Sequence, residues 1–433
     1  MENLDYARLQ MAFTLGFHII FACIGMVMPF FMVVSHHKWL KTRNPVYLKL
    51  TKAWLKGVAI FFVTGAVSGT ALSFELGMLW PEFMKHAGPI IGMPFSLEGA
   101  AFFVEAIALG FYLYGWNKLP EKFHWFTGVI IGVSGVLSGI LVVAANGWMN
   151  APSGFDYVNG QFTNVDPIQA LLNPAWFSQA LHMTLAAFVA TSFGVAGIHA
   201  FQILRGKAVA VHKSAFKIAI SFGAIAALLQ PISGDISAKD VAERQPAKLA
   251  AMEAHFETEK GAPLFIGGIV DEEKKEVNYK IEIPKALSFL AFGDFDAEVK
   301  GLNEFPEEEI PPVAIVHYAF QVMVGIGTLL ALAGILFFIS LKKKSWMDSK
   351  KYWWFFMLLA PLGFLALEAG WVVTEVGRQP WIIYQIMRTS DAVTPMPGIK
   401  FSFFMYVGVY ILLALTVTWL MQRQIKALNT QKD

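Results

Sequence analysis

Two carboxylates and an arginine lie within one long apolar stretch near the C-terminal end of the sequence. Glu368 and Glu375 fall in a run that opens near Trp353 and is long enough to cross a bilayer, and Arg378 follows Glu375 by three residues. An ionisable side chain at membrane depth costs a few kcal/mol or more, so it usually marks a functional site. If the stretch is helical, Glu375 and Arg378 share one face.

A purely structural interpretation exists for the end of this motif. Gly377 suits a helix C-cap, Pro380 a helix stop, and Trp381 an anchor at the membrane interface. Arg378 would then be a cation that reaches out of the bilayer. This interpretation leaves the two glutamates unexplained, so we favour a functional site.

A histidine and a methionine in two further apolar runs are potential ligands for haem iron. His182 lies eight residues after Pro174, and Met323 lies ten residues after Val313. A His/Met pair is a known axial set that raises the potential of a haem. Taken singly, a histidine of this kind is more often a hydrogen-bonding residue between helices, and a methionine usually packs.

Three more ionisable residues lie in the first and third apolar runs. Glu98 and Glu105 are seven residues apart and share a helix face, which suits a proton relay, or an iron ligand plus a relay. The alternative is a pair of hydrogen bonds between helices. His18 lies about nine residues into the first span. Counted from the outer ends of their spans, these residues, His182, Met323 and Glu375 all fall within about 15 Å of one membrane face.

The composition is that of an integral membrane protein. Of 433 residues, 56% are hydrophobic and 15% are charged, against about 25% charged in soluble domains. The single cysteine, Cys23, excludes disulfides within the chain, zinc sites built on Cys-x-x-Cys and Cys-ligated iron–sulfur clusters. No basic tract with interleaved aromatic residues indicates a nucleic-acid partner. The N-terminus lacks the basic region of a signal peptide, so we expect the first span to be retained.

The apolar runs predict an all-α polytopic membrane protein with about nine transmembrane helices. The predicted spans are 9–35, 55–78, 95–116, 125–148, 175–204, 214–232, 313–341, 353–376 and 400–422. Lysine and arginine concentrate in every second connection and in the C-terminal tail, which predicts an outward N-terminus and a cytoplasmic C-terminus.

The spans divide the chain into three regions. Residues 1–232 hold helices one to six, residues 233–312 form an extracytoplasmic loop, and residues 313–433 hold helices seven to nine. Within the loop we expect a helix over 240–260 and irregular structure over 261–312.

With these residues in this order, the chain resembles subunit I of the cytochrome bd quinol oxidases over essentially its full length. The motifs that carry the resemblance are Arg8-Leu-Gln-Met with His18, Glu98 with Glu105, Leu181-His182, Lys248-Leu-Ala-Ala-Met-Glu253, Met323-Val-Gly-Ile-Gly, and Trp371 with Glu375 and Gly377-Arg-Gln-Pro-Trp381.

The resemblance implies a role for each of these residues. His182 and Met323 would be axial ligands of a low-spin haem b, and His18 and Glu375 would each serve one of two high-spin haems. Glu98 would act there as ligand or proton donor, and Glu105 would carry protons toward the oxygen site. Lys248 and Glu253 would bind and deprotonate quinol. Trp371 and Arg378 would flank the pair of high-spin haems, with Arg378 offsetting propionate charge.

Two features depart from the commonest family pattern. Many members have arginine two residues before the methionine ligand, where this chain has Gln321, and the outer loop resembles the short version. Both features resemble the cyanide-insensitive branch. In that branch the oxygen-reducing haem is haem d or a further haem b in its place.

The resemblance also implies a reaction and partners. Ubiquinol or menaquinol would be oxidised at the outer face, and O2 would be reduced to water with protons taken from the cytoplasm, which generates a proton motive force without pumping. Among the few ionisable residues available for the inner proton path are Lys56 and Glu75, near opposite ends of the second span. The chain would work in the bacterial cytoplasmic (inner) membrane with subunit II of the oxidase, with or without a small single-span subunit.

Two other functions are compatible with the same residues. One is a haem b electron carrier, such as the membrane subunit of a quinol dehydrogenase, which would bind haem without consuming O2. The other is a transporter without haem. A transporter predicts broken helices or inverted repeats near the midplane, and the sequence indicates neither.

Overall fold

The computed structural model describes residues 2–430, and it is built almost entirely of long helices. The helices in this part of the chain are α1 (Glu2–Thr42), α2 (Pro45–Leu79), α3 (Pro81–Tyr114), α4 (Glu121–Asn150), α5 (Pro167–Leu171), α6 (Trp176–Leu204), α7 (Val209–Arg244), α8 (Pro246–Glu253), α9 (Ala286–Phe292), α10 (Val313–Lys342), α11 (Lys350–Leu358), α12 (Leu362–Val376), α13 (Thr389–Ala392) and α14 (Ile399–Thr430).

Short strands form five antiparallel pairs in the connections of the same part of the chain. They are β1 (Asp156–Val158) with β2 (Gln161–Thr163), β3 (Glu259–Lys260) with β8 (Glu298–Val299), β4 (Leu264–Ile266) with β7 (Ile281–Ile283), β5 (Ile269–Asp271) with β6 (Glu276–Asn278), and β9 (Trp381–Ile383) with β10 (Met387–Arg388).

Nine segments of residues 2–430 are long and apolar enough to span a membrane, which confirms the predicted number. They are α1, α2, α3, α4, α6, α7, α10, α11 with α12, and α14. The helices α1 and α2, α3 and α4, and α6 and α7 pack as sequential pairs, and α12 lies between α6 and α10. The most hydrophobic window of α14 is only 11% buried, so this helix lies at the edge of the bundle. The direction in which the termini face stays a prediction.

The third span begins earlier than predicted. A proline lacks the N–H of a helix interior, so Pro94 marks a start in the sequence. In the structure α3 begins at Pro81 and passes through both Pro89 and Pro94. Membrane helices tolerate interior prolines because neighbouring groups satisfy the freed carbonyls.

The eighth span is broken, whereas the sequence predicts one continuous helix. The segment α11 ends at Leu358 and α12 begins at Leu362, with Pro361 in the turn between them. Pro361 cannot donate to the preceding turn. The expectation that the spans contain no broken helix is therefore wrong at this position.

The outer loop is more ordered than predicted. The helix α7 continues to Arg244, and Gln245 leaves the helical conformation before Pro246 opens α8. The helix predicted over 240–260 is thus two helices. The strand β3 lies at the end of the predicted helix, and residues 261–312, which the sequence predicts to be irregular, contain β4 to β8 and α9. The all-α prediction is confirmed, because the strands are only two or three residues long and lie in the connections between the helices.

The outer loop is fastened to the first turns of α10. The backbone N–H of Gly267 donates to Gln321 Oε1 at 3.2 Å, and Gln321 Nε2 donates to the carbonyl of Phe265 at 2.9 Å. The N–H of Val270 donates to the hydroxyl of Tyr318 at 2.9 Å. Gln321, which departs from the family pattern, therefore holds the loop strands over this helix.

Candidate functional site

His18 is held by a serine of the next helix. Its Nδ1 lies 2.9 Å from the Oγ of Ser68 on α2, and Ser68 Oγ donates to the carbonyl of Thr64 at 2.9 Å. Because the hydroxyl proton is used within α2, Ser68 accepts from the Nδ1–H of His18. The Nε2 atom then keeps its lone pair, which is the form in which histidine binds a metal.

His182 has the same arrangement on a second pair of helices. Its Nδ1 lies 3.0 Å from Ser233 Oγ on α7, and Ser233 donates to the carbonyl of Gln230 at 2.9 Å. The amide nitrogen of Gln230 lies 3.2 Å from His182 Nε2. The Oε1 atom of Gln230 is buried without a partner in the part of the chain that the structure describes. The lone pair of Nε2 is therefore available to a donor or to a metal.

Met323 faces a glycine of the broken span. A Cβ atom added at Gly370 of α12 would lie 3.0 Å from the sulfur of Met323. The glycine therefore leaves room for the thioether between α10 and α12. Trp371, the next residue, is partly buried against the main hydrophobic core.

Glu375 is fixed by two side chains. Its Oε2 accepts from Arg378 Nη2 at 2.6 Å, and its Oε1 accepts from the amide of Asn146 on α4. Arg378 pairs with Glu375 as their spacing predicts, but the two do not share a helix face, because α12 ends at Val376 and Arg378 lies in the turn that follows it. The side chain of Arg378 is 2% exposed, whereas that of Glu375 is 29% exposed.

Arg378 has donors to spare at a buried position. Its Nε and Nη1 atoms have no partner among the residues that the structure describes. A buried guanidinium with free donors is well suited to a second anion, such as a carboxylate of a bound group.

Lys248 extends the same polar network toward the outer loop. Its Nζ donates to Asn150 Oδ1 at 3.3 Å and to the carbonyl of Thr374 at 3.1 Å, and Asn150 Nδ2 donates to Asn146 Oδ1 at 3.0 Å. Burial lowers the pKa of Lys248 to about 7, the Arg378 cation acts in the same direction, and the Glu375 carboxylate opposes them.

A second buried carboxylate lies at the end of α8. Glu253 is 4% exposed, and its Oε2 has no partner within residues 2–430. Burial raises the pKa of Glu253 to about 8. Such a group is poised to take up or release a proton near neutral pH.

His317 of α10 adds a further proton acceptor beside Glu253. Its Nδ1–H donates to the carbonyl of Met252 at 2.9 Å, and its Nε2 is buried without a partner among the described residues. His255 is also buried, and burial lowers the pKa of its imidazole. The turn after α8 therefore gathers one carboxylate and two imidazoles.

Glu98 and Glu105 both face α4, as their spacing predicts. Ser138 Oγ donates to Glu98 Oε1 at 2.9 Å. A Cβ atom added at Gly135 would lie 3.5 Å from Glu105 Oε2. Glu105 is 7% exposed. Glu98 is thus hydrogen-bonded, and Glu105 lies deeper against a small residue.

Glu368 lies against the first helix. A Cβ atom added at Gly16 would lie 3.2 Å from its Oε2, and its Oε1 is buried without a partner in the described part of the chain. Gly16 is two residues from His18. The second carboxylate of the opening motif therefore approaches the His18 region, and not Arg378.

The contacts join some of the predicted residues and leave others apart. Glu375, Arg378 and Lys248 form one network. The polar contacts of His18 and His182 involve separate helix pairs, and Met323 faces α12. Counting from helix ends does not locate His18 or Glu98, because α1 and α3 begin earlier than predicted. The common depth of the six residues stays a prediction.

Several residues of the site are absent from the set that the sequence predicts. They are Ser68, Asn146, Asn150, Ser233 and His317. Small polar residues are common in membrane helices and give no signal by themselves. His317 is different, because it is a histidine near the start of a span and meets the same criterion as His182.

Comparisons with known proteins agree on one family. The family model described as cytochrome bd terminal oxidase subunit I matches residues 6–429. A Bacillus subtilis (strain 168) chain, assigned provisionally as a cytochrome bd menaquinol oxidase subunit I, is 37% identical over 97% of this chain and 96% of its own length. Cytochrome bd ubiquinol oxidase subunit 1 of the same organism is 31% identical over 98% of this chain and 94% of its own length.

The fold comparison gives the same result. The structure of the bd oxidase from Geobacillus thermodenitrificans contains a chain that superposes with a TM-score of 0.93 at 34% identity, with 98% of each chain covered.

Proposed function

We propose, because this chain belongs to the cytochrome bd terminal oxidase subunit I family, that it is the haem-carrying subunit of a quinol oxidase that reduces O2 to water. It is a multi-pass bacterial membrane protein, and we assign it to the cytoplasmic membrane. The observation that carries the proposal is the repeated His–Ser contact, which directs Nδ1 of both His18 and His182 to a serine and leaves the Nε2 lone pair to bind iron. At His182 the iron would take the place of the Gln230 amide, which lies 3.2 Å from Nε2.

The donors present fit iron porphyrins. His182 and Met323 would hold a low-spin haem b, and His18 and Glu375 would each serve one high-spin haem, a haem b and either a haem d or a further haem b. Bound there, the haems would supply one-electron transfer and O2 reduction. The free donors of Arg378 suit a propionate, and Glu375 keeps spare lone pairs although both its oxygens accept hydrogen bonds.

The quinol site lies around α8. Lys248 would position a quinol oxygen, and Glu253 would accept a proton as the quinol is oxidised. A pKa of about 8 lets Glu253 alternate between both protonation states. His317 would be a second acceptor through its Nε2, since its Nδ1 bonds to the carbonyl of Met252, the residue before Glu253.

The protons for water formation need a separate route. Glu98 and Glu105 would pass protons toward the oxygen site, supplied from the cytoplasm. Glu75 does not suit the inner part of this route, because it accepts from Gln10 and Thr14, which precede His18 on α1. Lys56 is exposed. We therefore assign the inner half of the route to a partner.

The partner implied by the family is subunit II, with or without a small single-span subunit. Protons released from ubiquinol or menaquinol at the outer loop, and protons consumed from the cytoplasm, would together generate a proton motive force without pumping. This charge separation depends on the predicted orientation of the termini.

The direct test uses the enzyme purified from membranes with its accompanying subunits. We expect a reduced-minus-oxidised haem spectrum together with quinol-driven O2 uptake, and pigment extraction would identify haem b or haem d. A haem spectrum without O2 uptake would favour an electron carrier. A colourless preparation would reject the haem assignment altogether.

A further inference from the structure

Two adjoining cavities form a groove where α6, α11 and α14 meet. The larger has a volume of about 490 Å³ and the smaller about 330 Å³. Both are lined by Ile198, Ala360 and Ile425, so one leads into the other. The break between α11 and α12 lies beside this junction, at Pro361. We call the two together the α6–α14 groove.

The larger cavity is polar and basic along a rim formed by the ends of α6 and α14. Arg205, at the end of α6, and Lys426, near the end of α14, line it together with Gln202, Gln422 and Asn429. Both cations are exposed. No carboxylate among the described residues lines either cavity. The rim therefore favours an anion.

The polar wall is held in place by a chain of hydrogen bonds. Asn429 Nδ2 donates to Gln202 Oε1 at 3.0 Å, and Asn429 Oδ1 accepts from His212 Nε2 at 2.8 Å. His212 Nδ1 lies 2.7 Å from His199 Nδ1. This chain ties the end of α14 to α6 and α7, so the groove does not depend on a freely moving helix end.

The smaller cavity is apolar and runs toward the centre of the bundle. Its wall includes Met28, Phe61, Phe364 and Met421, with Gly57 and Gly194 providing space. Along the groove, the chemistry thus changes from two cations at the helix ends to aliphatic and aromatic surface at membrane depth.

We propose that the α6–α14 groove binds an anionic glycerophospholipid. The phosphate lies between Arg205 and Lys426, and an acyl chain enters the smaller cavity past Ile198. Basic pockets between membrane helices recognise anionic head groups in this way. The lipid also covers part of α14, which is the least buried span. The proposal does not depend on the oxidase assignment.

The test compares the purified, delipidated enzyme with a double variant, Arg205→Ala with Lys426→Ala. Phosphatidylglycerol is added in mixed micelles, and the thermal unfolding of the protein is measured at each concentration. Native mass spectrometry then measures how much lipid each protein retains. We expect wild type to keep one phosphatidylglycerol that the variant loses, with affinity reduced about fivefold for each cation removed. Arg423→Ala is the matched control, because Arg423 is an exposed cation of α14 that lies over Trp419 outside the groove.

A second variant tests the acyl chain separately. Ile198→Trp fills the junction and is expected to lower phosphatidylglycerol retention while both cations remain; Ile225→Trp, at an exposed position of α7, should not. Equal retention in wild type and the double variant would overturn the proposal. So would equal protection by inorganic phosphate or phosphatidylcholine, or a partner subunit or quinone found in the groove.

Discussion

The Nδ1 atom of His182 lies 3.0 Å from the Oγ of Ser233, and that serine donates its own proton back to α7 at the carbonyl of Gln230. The serine can therefore only accept from the histidine, which fixes both the ring orientation and the tautomer. The same relationship holds between His18 and Ser68. In metal sites, a hydrogen bond from the other ring nitrogen of a histidine ligand orients the ring and raises its basicity.

Replacing Ser233 should weaken the binding of the proposed low-spin haem while its proposed ligand, His182, remains. For Ser233→Ala we expect the affinity for haem to fall about 10- to 100-fold, because the His182 imidazole loses the hydrogen-bond acceptor that orients it. The haem-to-protein ratio and the reduced-minus-oxidised spectrum measure the effect. Ser221→Ala is the control, since Ser221 bonds only to its own helix at an exposed position. Identical haem content in both variants would contradict the orienting role.

A methyl group at Gly370 should displace Met323, which we propose as the second ligand of the low-spin haem. The added Cβ would lie 3.0 Å from the Met323 sulfur, so the thioether must move in Gly370→Ala. Because a methionine ligand raises haem potential, we expect a lower midpoint potential in a redox titration. Gly408→Ala has nothing within 4 Å and serves as control. A wild-type potential in Gly370→Ala would argue against Met323 as ligand.

Loss of Arg378 should leave Glu375 without its cation. In Arg378→Met we expect high-spin haem to be depleted and the folded state to lose about 2 kcal/mol, which is less than for a fully buried pair because Glu375 is partly exposed. The haem-to-protein ratio measures the loss of haem, and an unfolding curve of the protein measures the loss of stability. Arg388→Met is the control, since Arg388 of β10 lies over the ring of Trp381 in the paired strand β9 and not beside Glu375. Matching haem content in the two variants would contradict the prediction.

The sequence predicts the spans well because each is a long apolar run, and it predicts their ends less well. Proline was the misleading signal. Pro94 lies inside α3, where no boundary exists, and Pro361 breaks a span predicted to be continuous. The difference lies in whether neighbouring groups satisfy the backbone around the proline, which depends on tertiary packing.

The charged residues of the site can also be predicted from the sequence. A glutamate or arginine at membrane depth has a high free-energy cost, so it is rare there and usually marks a site. The Glu375–Arg378 pair and the shared face of Glu98 and Glu105 follow from spacing alone. Asn150 and Ser233 do not, since serine and asparagine bury their polar atoms at little cost by bonding to a nearby backbone. Their roles become visible only when the helices are packed.

The pH dependence of quinol oxidation should report on Glu253. Burial raises the pKa of this carboxyl to about 8, so below that pH it is mostly protonated and cannot accept a proton from quinol. We expect kcat/KM for quinol to fall about tenfold per pH unit below about 8 and to level off above it. Glu253→Gln should lose most activity, keep its haem spectrum and show no such limb. Glu257→Gln is the control, because Glu257 is an exposed carboxylate bonded to Asn303. If Glu253→Gln retained the wild-type profile, proton acceptance would have to be reassigned, with His317 the next group to test.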